Sequence, residues 1–172
     1  MKFDLNGKVA LVTGYSGILG PLWCKALLEV GAKVMASDIT GCRENSEITD
    51  LSKNYGHKKF RQFSADVLNR DELEEMCQVT EHYFGAVSIL VNNAGMDTPP
   101  KPGKSYAIED IPQGDSLPVI NVNLYGVFLV SQVLGAIMLK RSQGSIINIG
   151  NSYTTFDNNS KVFSFFDAIY KY

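Results

Sequence analysis

The sequence predicts an α/β protein: a doubly wound parallel sheet with helices on both faces. Three observations predict it. Short apolar runs alternate with segments of helical periodicity, which indicates βαβ units, and right-handed crossovers then place helices on both sides of one sheet. The first apolar run, Lys8 to Val12, leads into three glycines, Gly14, Gly17 and Gly20. Polar or glycine features also recur at the carboxyl ends of the runs: that turn, Asp38, Asp66 and Asn92 to Gly95. In open parallel sheets this edge is where ligands bind.

The bulk properties bound the rest. The chain has 172 residues, and one domain is expected at roughly 150 residues per domain. Apolar residues make up 45%, charged residues 20%, and the net charge is −2 with no basic run. Nucleic-acid backbones require clustered Lys and Arg, so nucleic acid is not an expected partner. No apolar stretch of roughly 18 residues runs without polar interruption, so no membrane span is expected. Met1 to Lys8 carries no apolar signal-peptide core. Cys24, Cys42 and Cys77 are scattered and lack metal-ligand spacing. They read as small buried or half-buried residues of a reducing, cytoplasmic compartment, with no metal site.

The elements follow in order. After the first strand, Gly14 allows a tight turn, Gly17 lets backbone approach a pyrophosphate, and Gly20 lets a helix lie close to the strand. An ordinary glycine-rich strand-to-helix turn is the alternative. Ile18, Leu19, Leu22, Trp23, Ala26, Leu27 and Val30 recur at helical spacing. Pro21 suits the first turn of that helix and Gly31 its end. Lys33 to Ser37 reads as a second strand ending at Asp38, about where a dinucleotide site places the acid that holds the ribose hydroxyls. Such a carboxylate repels a 2′-phosphate, and Tyr15 and Ser16 supply no cation to pair with one, so the pattern favours NAD over NADP. The alternative for Asp38 is a solvated strand-end carboxylate.

Residues 42–55 read as a helix anchored by Ile48 and Leu51, and Lys59 to Phe63 as a third strand leading to Asp66 and Val67. Asn69 with Glu72 three residues on resembles a capping box. Leu73, Met76, Cys77, Thr80 and Phe84 then share one helical face, closed by Gly85. Ser88 to Val91 is a fourth strand. Residues 96–114, with Pro99, Pro100, Pro102 and Pro112, read as a long loop; it either borders a substrate pocket or is a solvated excursion. From Asp115 to Met138 a long, largely buried helix is expected, with Pro118 in its first turn. Asn123 stands out there, because a buried amide must find partners. Ser145 to Ile149 is a fifth strand.

Thr13-Gly14 with Gly17 and Gly20, Asp38, Asp66-Val67, Asn92-Asn93-Ala94-Gly95, Asn121-Val122-Asn123-Leu124 and Gly144-Ser145-Ile146-Ile147-Asn148-Ile149 come in the order of the short-chain dehydrogenase/reductase family. The likeness runs to about residue 150, and the Asn-Asn-Ala-Gly motif after an apolar strand is its most specific part. The resemblance implies a Rossmann-type NAD-binding core over residues 1–150 and the start of a substrate and catalytic segment over residues 151–172. It implies an oxidoreductase that moves hydride between NAD(H) and a small-molecule alcohol or carbonyl substrate, in a family where oligomers are common. Gly14, Ser16, Gly17, Ile18 and Gly20 would cradle the pyrophosphate side of the cofactor, and Asp38 its ribose. Asp66 and Val67 would flank adenine. Asn92, Asn93, Ala94 and Gly95 would line the cofactor and brace the sheet. Asn123 would hold a water in a proton relay, or else bond to backbone.

Three departures from the family pattern matter. Gly17 comes one position earlier than in the family's common single-domain branch, a spacing closer to enzymes of nucleotide sugars. Asn151 occupies the position of the catalytic serine, so Ser152 takes that role with a one-residue shift or an Asn donates instead. The tail lacks the family's Tyr-x-x-x-Lys. The expectation is therefore an inactive N-terminal fragment, truncated after the fifth strand, with Tyr172 as the catalytic tyrosine. The rival expectations are a non-catalytic nucleotide-binding relative, or a nucleotide-sugar epimerase or dehydratase.

Overall fold

The computed structural model describes residues 4–43, 45–96 and 112–150. Five strands, β1 (Val9–Thr13), β2 (Lys33–Asp38), β3 (Phe60–Ser64), β4 (Ile89–Asn92) and β5 (Ser145–Asn148), form one sheet in the order β3-β2-β1-β4-β5. Every neighbouring pair is parallel, with Ala10 aligned to both Val34 and Ile89, and Asn92 to Asn148. The chain runs outward from β1 in one direction through β2 and β3, then returns to the other side of β1 for β4 and β5. The strand order therefore switches between β1 and β4, which opens a crevice beyond their carboxyl ends.

Alternation along β1 decides which helix covers which face. Val9 and Leu11 point into a core shared with α3 (Arg70–Phe84) and α5 (Val127–Lys140). Ala10 and Val12 point into a second core shared with α1 (Gly20–Glu29) and α2 (Ser46–Tyr55). A strand buried on both sides must be apolar throughout, and Val9 to Val12 are all 2% exposed or less. Helices thus cover both faces of a parallel sheet, as the alternation of elements predicts.

α3 buries the face read from its sequence, Leu73, Met76, Cys77, Thr80 and Phe84. Its Asn69 cap accepts from the N–H groups of Asp71 and Glu72. Glu72 closes the box differently from the usual pattern, accepting from the Asn69 side chain at 2.7 Å and from the Asp66 N–H at 2.7 Å.

Two helices differ from expectation. α1 buries Gly20, Pro21, Cys24 and Leu28, while Ile18 and Leu22 are 91% and 52% exposed and Ala26 is exposed. Residues 14–19 are used by the glycine turn, so the helix starts at Gly20, and its small residues face the sheet. A Cβ on Gly20 would overlap the Gly14 carbonyl oxygen and lie 2.6 Å from Tyr15 Cα, which no side chain tolerates.

The long helix is not continuous. α4 (Gln113–Ile120) passes through a wide π-helical turn, Asn121–Gly126, before α5. Pro118 lies in the second turn, not the first, and lacks the N–H that would reach back to Gly114. At the wide turn Gly126 meets the loop after β3, where an added Cβ would come within 2.8 Å of Val67 Cγ2. Nor is the helix largely buried. Leu117, Leu124, Tyr125 and Phe128 are 45%, 44%, 51% and 56% exposed, a stripe facing away from the sheet. By length and composition the run Gln113–Lys140, which contains an 18-residue window of mean hydropathy 1.8, would suffice to cross a membrane, which the sequence expectation overlooked. In this fold Leu129, Val130, Val133, Leu134 and Met138 of that run are buried in the core under the sheet.

Among the described residues β5 pairs on one side only, with Ile146 and Ile147 39% and 45% exposed. The predicted loop lies mostly outside the described residues, as do Asn151, Ser152 and Tyr172.

Candidate cofactor-binding site

The carboxyl ends of β1 and β4 are stitched together by hydrogen bonds that follow from two short motifs. Thr13 Oγ1 accepts from the N–H groups of Asn93 and Ala94, both at 3.1 Å. The Asn93 amide donates to the Thr13 and Gly14 carbonyls at 3.1 and 2.9 Å. Trp23, from α1, donates its indole N–H to Asn93 Oδ1 at 3.1 Å, which fixes the amide in that orientation. Gly14 itself stands at φ +70°, and a Cβ there would lie 2.6 Å from Ala94 Cα. One residue earlier on β4, Asn92 donates to Ser131 Oγ at 2.9 Å and Asn148 Oδ1 at 2.8 Å, tying β4 to α5 and β5. Asn92 and Gly20 therefore support the edge from behind and do not line it.

Above this edge lies a cavity of about 570 Å³. Of the residues singled out in the sequence, Gly14, Ser16, Gly17, Ile18, Asp38, Asp66, Val67, Asn93, Ala94 and Gly95 line it. Leu19, Ile39, Ala65, Leu68, Met96 and Val122 line it too and were not anticipated. Ile39, Leu68 and Met96 each closely follow a singled-out residue, so loop continuity was the available signal. Val122 stands inside the Asn121–Leu124 motif beside the singled-out Asn123, which was its available signal.

Asp38 is held at the rim by three donors. Its Oδ2 accepts from the Ser16 N–H at 2.9 Å and the Ser16 hydroxyl at 2.7 Å, and its Oδ1 from the Ile39 N–H at 2.9 Å. Asp66 Oδ1 accepts from the Leu68 N–H at 2.9 Å, which turns that loop. Asn123 does not line the cavity. It clamps Met96 from both sides, Oδ1 accepting from the Met96 N–H at 2.7 Å and Nδ2 donating to its carbonyl at 2.9 Å. These are the backbone contacts of the alternative reading, and besides them the amide keeps one N–H and one Oδ1 lone pair.

The residues present fit a dinucleotide. The Leu19 cap of α1 makes no side-chain hydrogen bond, and the first turn carries no acid, so the helix amino end is left for an anion. Gly17 is the informative glycine. An added Cβ there meets only the Gly14 carbonyl oxygen, at 3.5 Å, an ordinary contact. Nothing among the described residues demands glycine at 17, whereas a phosphate lying against its backbone would.

Nearby ionisable groups play other parts. Burial, then the adjacent Cys42, pushes the Tyr15 hydroxyl upward, the wrong direction for a general base. The Cys42 thiol donates to that hydroxyl at 3.6 Å. Burial pushes the Cys24 and Cys77 thiols up to about 12, so neither is a reactive thiolate at neutral pH. Tyr55 and Lys59 have the Tyr-x-x-x-Lys spacing, but they lie before β3, at the amino end of the sheet.

The profile of the family described as short chain dehydrogenase matches residues 8–163. The chain belongs to the short-chain dehydrogenase family. It is 30% identical over 154 residues to 3-oxoacyl-(acyl-carrier-protein) reductase FabG of Thermotoga maritima, covering 90% of this chain and 59% of that protein. It is 35% identical over 150 residues to 2-dehydro-3-deoxy-D-gluconate 5-dehydrogenase of Bacillus subtilis, covering 87% and 55%. A short-chain type dehydrogenase/reductase from Mycobacterium marinum superposes with a TM-score of 0.74 at 28% identity, covering 86% of this chain and 57% of that one. The chain thus spans just over half the length of the curated relatives it matches. These relatives are named as dehydrogenases and reductases, and the family binds nicotinamide cofactors.

Proposed function

We propose that the chain binds NAD at the carboxyl edge of its sheet, and that the protein moves hydride between NAD(H) and an alcohol or carbonyl substrate. The observation that carries the cofactor assignment is Asp38, a carboxylate at the cavity rim with no cation paired to it among the described residues. Its spare acceptor capacity suits ribose hydroxyls and repels a 2′-phosphate. The anion end of the site is the Gly14–Gly20 turn and the uncapped start of α1. When bound, NAD supplies the hydride chemistry; the chain supplies position and field. The names of the relatives, a 3-oxoacyl reductase and a sugar-acid dehydrogenase, favour a carbonyl–hydroxyl exchange. Ser152 as hydrogen-bond donor and Tyr172 as proton donor or acceptor remain part of the proposal, with Asn123 holding the Met96 loop at the cavity rim.

A cytoplasmic, reducing setting is supported by three free cysteines. A second copy of the chain is proposed to cover the exposed stripe of Leu117, Leu124, Tyr125 and Phe128. Trp23 is the only tryptophan and its indole contacts the cavity-lining Asn93, so its emission reports on the site. Titration with NADH should quench it saturably, and NAD should compete. Absence of quenching and of competition would remove the cofactor reading. Binding by this chain together with no NAD-linked oxidation by the full-length protein across simple alcohols would favour the non-catalytic alternative.

A further inference from the structure

The early position of Gly17 has a structural consequence. The residue just before it is Ser16, and the backbone N–H, the carbonyl and the hydroxyl of Ser16 are all engaged. Its N–H and hydroxyl both donate to Asp38 Oδ2, at 2.9 and 2.7 Å, and its carbonyl accepts from Asn45 Nδ2 at 3.3 Å. Asn45 is in turn the cap of α2, accepting from the Glu47 N–H at 3.0 Å. Ser16 is thereby held between the end of β2 and the start of α2.

A carboxylate offers about four acceptor positions. Three are taken at Asp38, two on Oδ2 by Ser16 and one on Oδ1 by Ile39. What faces the cavity is then one position on Oδ1 and the lone pairs of Ser16 Oγ, both acceptors. The local donors have been turned inward. A ribose with two adjacent hydroxyls brings two donors and matches this rim. A 2′-phosphate brings only acceptors and charge, and at Ser16 and Ile39 it finds no donor that is not already used by Asp38. Arg43, on the loop that follows, is exposed and does not line the cavity.

We infer that Ser16 is a positioning residue that orients Asp38 and, with it, sets discrimination between a free ribose diol and a phosphorylated one. This rests on the cofactor site proposed above and adds a residue whose substitution changes no charge. Ser16→Ala keeps the backbone N–H and removes the hydroxyl. NADH affinity should fall about 3- to 10-fold, the range one net hydrogen bond supports, while NADPH affinity is unchanged or rises.

The test is a titration of the 172-residue chain with NADH and NADPH, followed by Trp23 emission, in wild type, Ser16→Ala, Ser16→Thr, Asp38→Ala and the double variant Ser16→Ala with Asp38→Ala. Thermal melts confirm that each is folded. Ser16→Thr should restore NADH affinity, and Ser16→Ala should cost nothing once Asp38 is alanine, because its effect passes through that carboxylate. An equal loss for NADH and NADPH, an unchanged NADH affinity, or a Ser16→Ala effect that persists without Asp38 would each overturn the inference while leaving the cofactor site intact. Failure of the wild type to bind either dinucleotide would overturn the site itself, and the inference with it.

Discussion

The three glycines of the opening turn should respond differently to alanine, and the structure sets the differences. At Gly14 a side chain must adopt φ +70°, which costs about 1–2 kcal/mol. Its Cβ would also press on Ala94 Cα at 2.6 Å and Ala94 N at 2.9 Å, both backbone. Overpacking of this kind adds about 1–3 kcal/mol. The sum, about 2–5 kcal/mol, lowers the melting temperature by roughly 5–15 °C for a chain of this size. Gly20→Ala should be comparably damaging, because its Cβ would overlap the Gly14 carbonyl and crowd Tyr15. Gly17→Ala is the contrast. Its Cβ meets one atom at an ordinary 3.5 Å, so stability should change by no more than about 0.5 kcal/mol. NADH affinity should nevertheless fall tenfold or more, since the methyl occupies the approach to the backbone. The assays are a melt followed by circular dichroism and the Trp23 titration. A Gly17→Ala chain that binds NADH as tightly as wild type refutes the pyrophosphate cradle, and one that melts far below wild type refutes the geometric reasoning.

Further outcomes follow from the same geometry. Asp38→Ala should weaken NADH binding about tenfold, consistent with loss of charge-assisted hydrogen bonds, and should narrow or reverse the preference over NADPH; an unchanged ratio removes the ribose assignment. With thiols raised to about 12 by burial, Cys24 and Cys77 should resist alkylation at pH 8 while Cys42 reacts. Because the unfolded chain releases those protons near pH 9 and the folded chain retains them, the stability from each thiol is fully present below pH 9 and is lost towards pH 12, at about 1.4 kcal/mol per pH unit; equal labelling of all three cysteines under native conditions contradicts this. Phe128→Glu, in the exposed stripe, should shift an associating chain to monomer in sedimentation without lowering its melting temperature, and an unchanged distribution assigns association to another surface.

Much of the fold was legible because its signals are local. The face of α3 is a clean 3.6-residue repeat from Leu73 to Phe84, and it buries as read. β1 is apolar throughout because helices cover both its faces. The α1 face was misread because apolar character and burial separate there. Ile18 and Leu22 are apolar yet exposed, while Gly20 and Cys24 face the strand. Only the close approach of helix to turn decides that, and close approach is a three-dimensional property. The break at Asn121–Gly126 was illegible for a related reason. It arises where Gly126 meets Val67 and Asn123 reaches Met96, contacts that span 59 and 27 positions of sequence. At the site, Asp38 and the Asn92–Gly95 motif announced themselves through residue type and strand-end position. The Ser16–Asp38 pairing did not, because it depends on how the glycine turn folds across to the neighbouring strand.

The central claim is that this edge binds a nicotinamide dinucleotide with an unphosphorylated ribose. The most direct test is the pair of dissociation constants of the wild-type chain for NADH and NADPH, measured side by side through Trp23 emission and confirmed by calorimetry. NADH binding at least tenfold tighter than NADPH is the predicted result. Tighter NADPH binding, or no binding of either, contradicts it.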